Sequence, residues 1–161
     1  MKRFGWRLVK FVLKAVLFVL LLTLGWVFLY RFVNPPVTPL MVMKYFEEGK
    51  PIKKEWKDYK DISGNMKLAV IAAEDQTYPL HKGFDVDSII DAIEDKNKGK
   101  RLRGASTISQ QTAKNVFLWP SRTWTRKGAE TYFTFLIETM WGKKRILEVY
   151  LNVMETGPGI Y

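Results

Sequence analysis

The sequence predicts a mainly α-helical protein carried on one membrane-spanning helix. Three observations predict it. Residues 15–30 contain no charged side chain. Further along, apolar residues recur at helical spacing, as at Val86, Ile89, Ile90 and Ile93. Thr107 and Gln110 have the spacing of a capping box, which marks the start of a helix.

Composition narrows the class. The chain has 161 residues, enough for one modest domain with a core, and 47% of them are hydrophobic, which excludes a disordered chain. The formal net charge of +10 raises a nucleic-acid partner. However, five of the cations, Lys2, Arg3, Arg7, Lys10 and Lys14, precede or enter the first apolar run, and no nucleic-acid reader motif is present. Cysteine is absent, which excludes disulfides and thiolate metal sites.

The first segment, 1–33, reads as a cytoplasmic N-terminus and a transmembrane anchor. Its apolar character runs over 11–33, about 23 residues or about 34 Å of helix, enough to cross a bilayer. Lys14 can snorkel to the interface, and Trp6, Trp26 and Tyr30 suit aromatic belts. The leading cations place the N-terminus in the cytoplasm and the remainder outside. A cleaved signal peptide is the competing reading, but the apolar core is too long and Asn34-Pro35-Pro36 offers no small-x-small site.

Residues 34–60 form a linker and membrane-proximal segment. Residues 34–39, with three prolines, read as a stiff connection. Residues 37–46 are apolar again, either a helix packed on the domain or one resting on the bilayer. Residues 50–60 are basic with Trp56 and Tyr59 interleaved and read as an exposed loop.

The domain itself occupies 61–161. A helix starting near Met66 carries Leu68 to Ala73 straight into Glu74 and Asp75. It reads as a buried helix whose terminal carboxylates are partly desolvated, with a pKa raised towards the range of proton transfer. Pro79 stops it and Gly83 allows a turn, with His81 between them. The alternative is a solvated helix end with a surface histidine. Residues 96–103 read as a flexible basic loop. The helix opening at Thr107 offers an anion site at its N-terminus, with Ser106 adding a hydroxyl. Gln111 and Lys114 share a face of it. A plain capped helix with a solvated lysine is the alternative. After a break at Trp119-Pro120, a long helix runs to about Trp141. Arg126 and Glu130 sit four apart on it, as a surface pair or a site pair. Residues 143–152 form a last helix, with Ile146, Val149 and Tyr150 inward, before a glycine-rich turn at 155–161.

Four ordered motifs now stand together: Glu74-Asp75-x-x-Tyr78-x-x-His81-x-Gly83, Gly104-x-Ser106-Thr107-Ile108-x-Gln110-Gln111-x-x-Lys114-Asn115, Arg126-Lys127-x-x-Glu130, and Lys144-Arg145-Ile146-Leu147-Glu148-x-Tyr150-Leu151-Asn152. This set resembles the peptidoglycan glycosyltransferases, in their monofunctional biosynthetic form. The resemblance implies a lysozyme-like domain with two lobes around a cleft. It implies an inverting transfer that polymerises lipid II on the outer face of the bacterial cytoplasmic (inner) membrane. Glu74 would be the general base and Glu130 the second essential carboxylate. Lys114 and Arg122 would hold the leaving pyrophosphate, with Ser106, Gln111 and Arg126 around it and Asp75, His81, Gly83, Gln110 and Asn115 as motif support. No cofactor is required on this reading, although a divalent cation, magnesium or manganese, would sit at Glu130. Partners would be lipid II, the growing lipid-linked glycan, the membrane and other cell-wall synthesis and division proteins. The chain stops inside the last glycine-rich motif, so further helices are expected downstream. Two other classes compete: a membrane-anchored muramidase using Glu74 as acid, and an inactive anchored binding protein.

Overall fold

The computed structural model describes residues 2–99, 104 and 106–161. Residues 100–103 of the expected basic loop, and the side chains of Lys2 and Arg3, lie outside the described residues. Among the described residues seven helices follow one another: α1 (Lys2–Phe32), α2 (Pro39–Glu48), α3 (Gly64–Glu74), α4 (Val86–Asn97), α5 (Ile108–Phe117), α6 (Trp124–Met140) and α7 (Lys143–Val153). The described residues contain no strand, only isolated bridges joining Lys53 and Gly157 to Ile160. The mainly helical class expected from periodicity is what the chain adopts.

α5 is the axis. Eight of its ten residues are buried, and α2, α6 and α7 pack around it. Such a helix needs a precise start, and the capping box supplies it. Thr107 Oγ1 accepts from Gln110 N at 3.1 Å, and Gln110 Oε1 accepts from Thr107 N at 3.1 Å. Around it, Phe117 stacks on Phe133 of α6 with centroids 4.7 Å apart, and Ile146, Val149 and Val153 of α7 are fully buried.

The anchor is joined to this core. α1 carries a stretch, Gly5–Phe32, long and apolar enough to cross a membrane. Its side chains from Trp6 to Leu22 are exposed, but Val27 is completely buried against the domain. Trp26 meets Phe117 edge-on at 5.2 Å. Trp141 Nε1 donates to the Val27 carbonyl at 2.9 Å. Arg145 of α7 then clamps the end of α1, donating to the carbonyls of Tyr30 and Val33 at 3.0 Å and to Asn34 Oδ1 at 2.9 Å. These bonds satisfy carbonyls that every helix C-terminus leaves without an intrahelical partner.

The 50–60 segment is the exposed loop expected, and it is tethered: Asn152 brackets Lys57, accepting from its N–H at 2.7 Å and donating to its carbonyl at 2.9 Å, and Glu148 accepts from Tyr59 N at 2.7 Å. The glycine-rich turn holds its other end, with Lys53 N donating to Gly159 O at 2.8 Å. Gly159 is required there, because its φ is +74° and a Cβ would meet the Pro51 carbonyl at 2.8 Å. Residues 37–46 do form a helix packed on the domain: α2 is capped by buried Thr38 and buries Met41, while Phe46 on its outer face stays exposed.

Arg145→Ala leaves two anchor carbonyls and Glu148 without their donor, a cost of about 2–3 kcal/mol for partly buried polar groups. The expected outcome is a lowered melting temperature in detergent and faster proteolysis between residues 34 and 38, both measurable on the purified protein.

Candidate active site

Helix α3 ends at Glu74, and Asp75 immediately turns inward. Asp75 is buried, and its Oδ2 accepts from Ile108 N, the first amide of α5, at 2.9 Å. Its carboxylate also takes His81 Nε2 at 2.9 and 3.0 Å. The other ring nitrogen of His81 accepts from Gly83 N at 3.0 Å, and the Gly83 carbonyl accepts from Thr107 Oγ1 at 2.7 Å. These bonds close a ring that fixes the end of α3 against the start of α5. Gly83 has φ +93°, and a Cβ on it would meet Glu138 Cγ at 2.9 Å, so the turn packs directly on α6.

This ring answers the expectation of an anion site at the α5 N-terminus. The amide of Ile108 is taken by Asp75 and that of Gln110 by Thr107. The dipole end is already satisfied by a carboxylate of the protein itself. Gln110 is buried in the capping box and serves the helix. Ser106 is exposed and lines a cavity of about 300 Å³ beside Glu74, Asp85 and Ser88. Asp85, the α4 cap, has its carboxyl held down to about 2, first by the Thr77 hydroxyl and then by Ser88.

Glu74 itself is exposed, which corrects the expectation of a desolvated carboxylate on a buried helix. Only Val70 of α3 is buried, and Leu68 is 67% exposed. The helix therefore lines the cavity beside Ser106 and does not plug the core. Glu74 Oε2 accepts from Gln111 Nε2 at 2.9 Å, and Gln111 Oε1 accepts from the Tyr150 hydroxyl at 3.3 Å. Burial, with the Glu74 charge adding to it, pushes the Tyr150 phenol up to about 12, so it remains a donor at physiological pH. Sequence reading placed Tyr150 only as an inward residue; its presence in the fourth motif was the available signal.

Lys114 lies one helical turn further along α5. Burial holds its ammonium below the usual lysine range, while Glu130 and Glu74 pull it back up and Arg126 and Lys127 push it down. It therefore feels both motif carboxylates. With Arg122 and Arg126 it lines a cavity of about 660 Å³, whose other walls include Leu40, Leu118 and Trp119. Asn115 lines the same cavity. Glu130 is buried and fully engaged: Oε2 accepts from Arg126 Nη1 at 2.6 Å and Oε1 from Lys127 Nζ at 2.5 Å. A buried carboxylate with only one of these partners would be costly. Arg126 Nε is buried and has no partner among the described residues.

A divalent cation does not fit Glu130 in this arrangement. Both its oxygens hold cationic donors, and among the described residues no three histidine, aspartate or glutamate side chains converge as a metal set.

The site thus sets an open carboxylate and a cationic cavity on a mainly helical domain that is joined to one helix long and apolar enough to cross a membrane. The sequence model of the Transglycosylase family matches residues 41–161, and the chain belongs to that family. It is 52% identical over 157 residues to a biosynthetic peptidoglycan transglycosylase of Bdellovibrio bacteriovorus, covering 94% of this chain and 63% of that protein. It is 51% identical to the Caulobacter vibrioides protein of the same name, covering 100% of this chain and 70% of that one. For the Xanthomonas oryzae pv. oryzae protein of that name the identity is 47%, over 96% and 66%. The chain thus spans about two thirds of the length of these relatives.

Tyr150→Phe removes the hydroxyl that orients Gln111. The expected loss of stability is about 0.5–1.5 kcal/mol, read by denaturant unfolding, together with a shifted and broadened Gln111 side-chain amide signal in a nitrogen-15 NMR spectrum.

Proposed function

We propose that this chain is an inverting glycosyltransferase that polymerises lipid II into β-1,4-linked glycan for the bacterial cell wall. The observation that carries the proposal is an open carboxylate within electrostatic reach of a cationic cavity through Lys114. Among the described residues the Glu74 carboxylate is hydrogen-bonded only to a neutral amide, and the cavity at Lys114 is cationic and partly apolar. Membership of the family and the names of the relatives support the same reading.

On this proposal Glu74 is the base. Gln111 engages Oε2, which leaves Oε1 for the acceptor's 4-hydroxyl. As that oxygen attacks the donor's anomeric carbon, its proton passes to Glu74 and the bond from carbon to pyrophosphate oxygen breaks. The electron pair leaves on the pyrophosphate, and attack from the opposite face converts an α-linkage into a β-linkage. Lys114, Arg122 and Arg126 surround the departing charge. Because Lys114 is half-buried, its attraction for that charge is stronger than it would be in water. Glu130 acts from beneath, holding Arg126 and Lys127 in place. Leu40, Leu118 and Trp119 suit the first part of the donor's lipid.

Glu74→Gln is nearly isosteric and cannot take the proton. The variant is expected to lose polymerisation of lipid II by at least about 10²-fold while still retaining labelled donor lipid in a binding assay. The wild-type protein should form polymer from lipid II and leave finished glycan strands intact. Cleavage of strands without polymer formation would establish a muramidase instead.

The orientation forms part of the proposal: N-terminus cytoplasmic, domain outside, on the strength of Arg7, Lys10 and Lys14 before the uncharged run. A reporter enzyme active only outside the cytoplasm, fused after Tyr161, is expected to be active and membrane-bound. A reporter active only inside, fused at the same place, is expected to be silent.

A further inference from the structure

Where α1 leaves the apolar region, a third cavity of about 540 Å³ opens that shares no residue with the two at the candidate site. Arg31 and Phe32 of the anchor form one wall, Tyr59 and Lys60 another, and Lys144 at the start of α7 a third. Its floor is the pair of Arg145 and Glu148, bonded at 2.8 Å. Glu148 also accepts from Tyr59 N, and Arg145 covers the last carbonyls of α1. The floor is therefore neutral and its groups are spent. What remains facing the cavity is Arg31, Lys60 and Lys144 against one carboxylate, Asp58. Two of these cations are held over aromatic faces, Lys144 at 4.9 Å from the Tyr59 ring and Arg31 at 5.4 Å from Phe32.

The depth of this cavity follows from the anchor. The uncharged run 15–30 is bracketed by Lys14 and Arg31. At 1.5 Å per residue it covers about 24 Å, which with snorkelling ends matches a bilayer core of ~30 Å. Arg31 thus marks the headgroup level on the domain side, and the cavity lies there with it. Phe28 and Leu29 are exposed on the preceding turn of α1 and, with Phe32 of the wall, continue the apolar surface of the span.

We infer that this cavity binds the phosphate headgroup of an anionic glycerophospholipid, with the acyl chains lying along Phe28, Leu29 and Phe32. The ligand chemistry is set by both parts: excess positive charge at headgroup height and an apolar track leading into the bilayer. A bound lipid would join α1, the 58–60 segment and α7, the three elements that Arg145 already ties together. The domain's height and tilt on the membrane would then depend on lipid charge.

The test places the full-length protein in phosphatidylcholine bilayers containing a minority of phosphatidylglycerol. Spin-labelled phosphatidylglycerol and spin-labelled phosphatidylcholine report the relative association constant of each lipid at the protein surface. Wild type is expected to prefer phosphatidylglycerol, and the doubly substituted Lys60→Ala/Lys144→Ala protein to lose that preference by roughly fivefold for each lysine removed. Both side chains are exposed, so an unchanged melting temperature is expected and confirms folding. Lys96→Ala/Lys98→Ala, at the C-terminal end of α4 and outside the cavity lining, is the charge-matched control and should keep the preference. Retention of the preference in the first variant, or an equal loss in the control, would overturn the proposal. Displacement of the label by a polyprenyl pyrophosphate at a hundredth of its concentration would assign the cavity to the reaction's own lipid and overturn it too.

Discussion

The carboxylate of Asp75 receives the first amide of α5 at 2.9 Å and the imidazole of His81 at 2.9 Å, and both partners are shielded from water. A buried aspartate is tolerable only when its oxygens are filled in this way. Because the acceptor caps the C-terminus of α3 and the donor opens α5, the bond fixes the two helices to each other at one point. Glu74 is the residue immediately before that point and Gln111 lies one turn beyond it. Their contact follows from the clamp. His81 extends the clamp through Gly83 to Thr107, so the capping box of α5 and the turn after α3 are parts of one hydrogen-bonded unit.

The same bond explains where an anion can and cannot be held. A helix N-terminus with its amides open is an anion site, but here Asp75 occupies that place. The protein's cations stand further along, at Lys114 and on the first turns of α6, at the opposite end of α5's exposed edge. Spending the dipole internally stabilises α5, a helix so buried that it has little solvent to satisfy a frayed end.

Local patterns were legible in the sequence, and contacts between distant segments were not. The capping box at Thr107 and Gln110 and the pair of Arg126 and Glu130 are encoded at three- and four-residue spacing, and both form as the spacing implies. The anchor's apolar length was equally plain. The burial of α3 was misjudged because its composition is apolar all round, which says nothing of whether a partner covers it; only Val70 finds one. The bond between Tyr150 and Gln111 spans 39 positions, and the clamp of Arg145 on Tyr30 spans 115. No periodicity reports such pairs. For the same reason residues 50–60 read only as an exposed loop, without the hold that Asn152 and Glu148 of α7 have on their backbone.

The two motif glutamates have different partners, and these give them different capacities. Glu130 is nearly inaccessible and bonded to two cations, so its charge is balanced and both its oxygens are engaged. Removing Arg126 or Lys127 would leave that buried charge short of a partner. Glu74 is solvated and bonded to an amide, which orients it without a counter-charge and without blocking its second oxygen. Lys114 lies within the field of both. Had Lys114 paired directly with Glu74, each would have quenched the other, leaving neither a base nor a free cation. Glu74 is bonded instead to the neutral Gln111, itself held by Tyr150, so the carboxylate stays open near a cluster of positive charge.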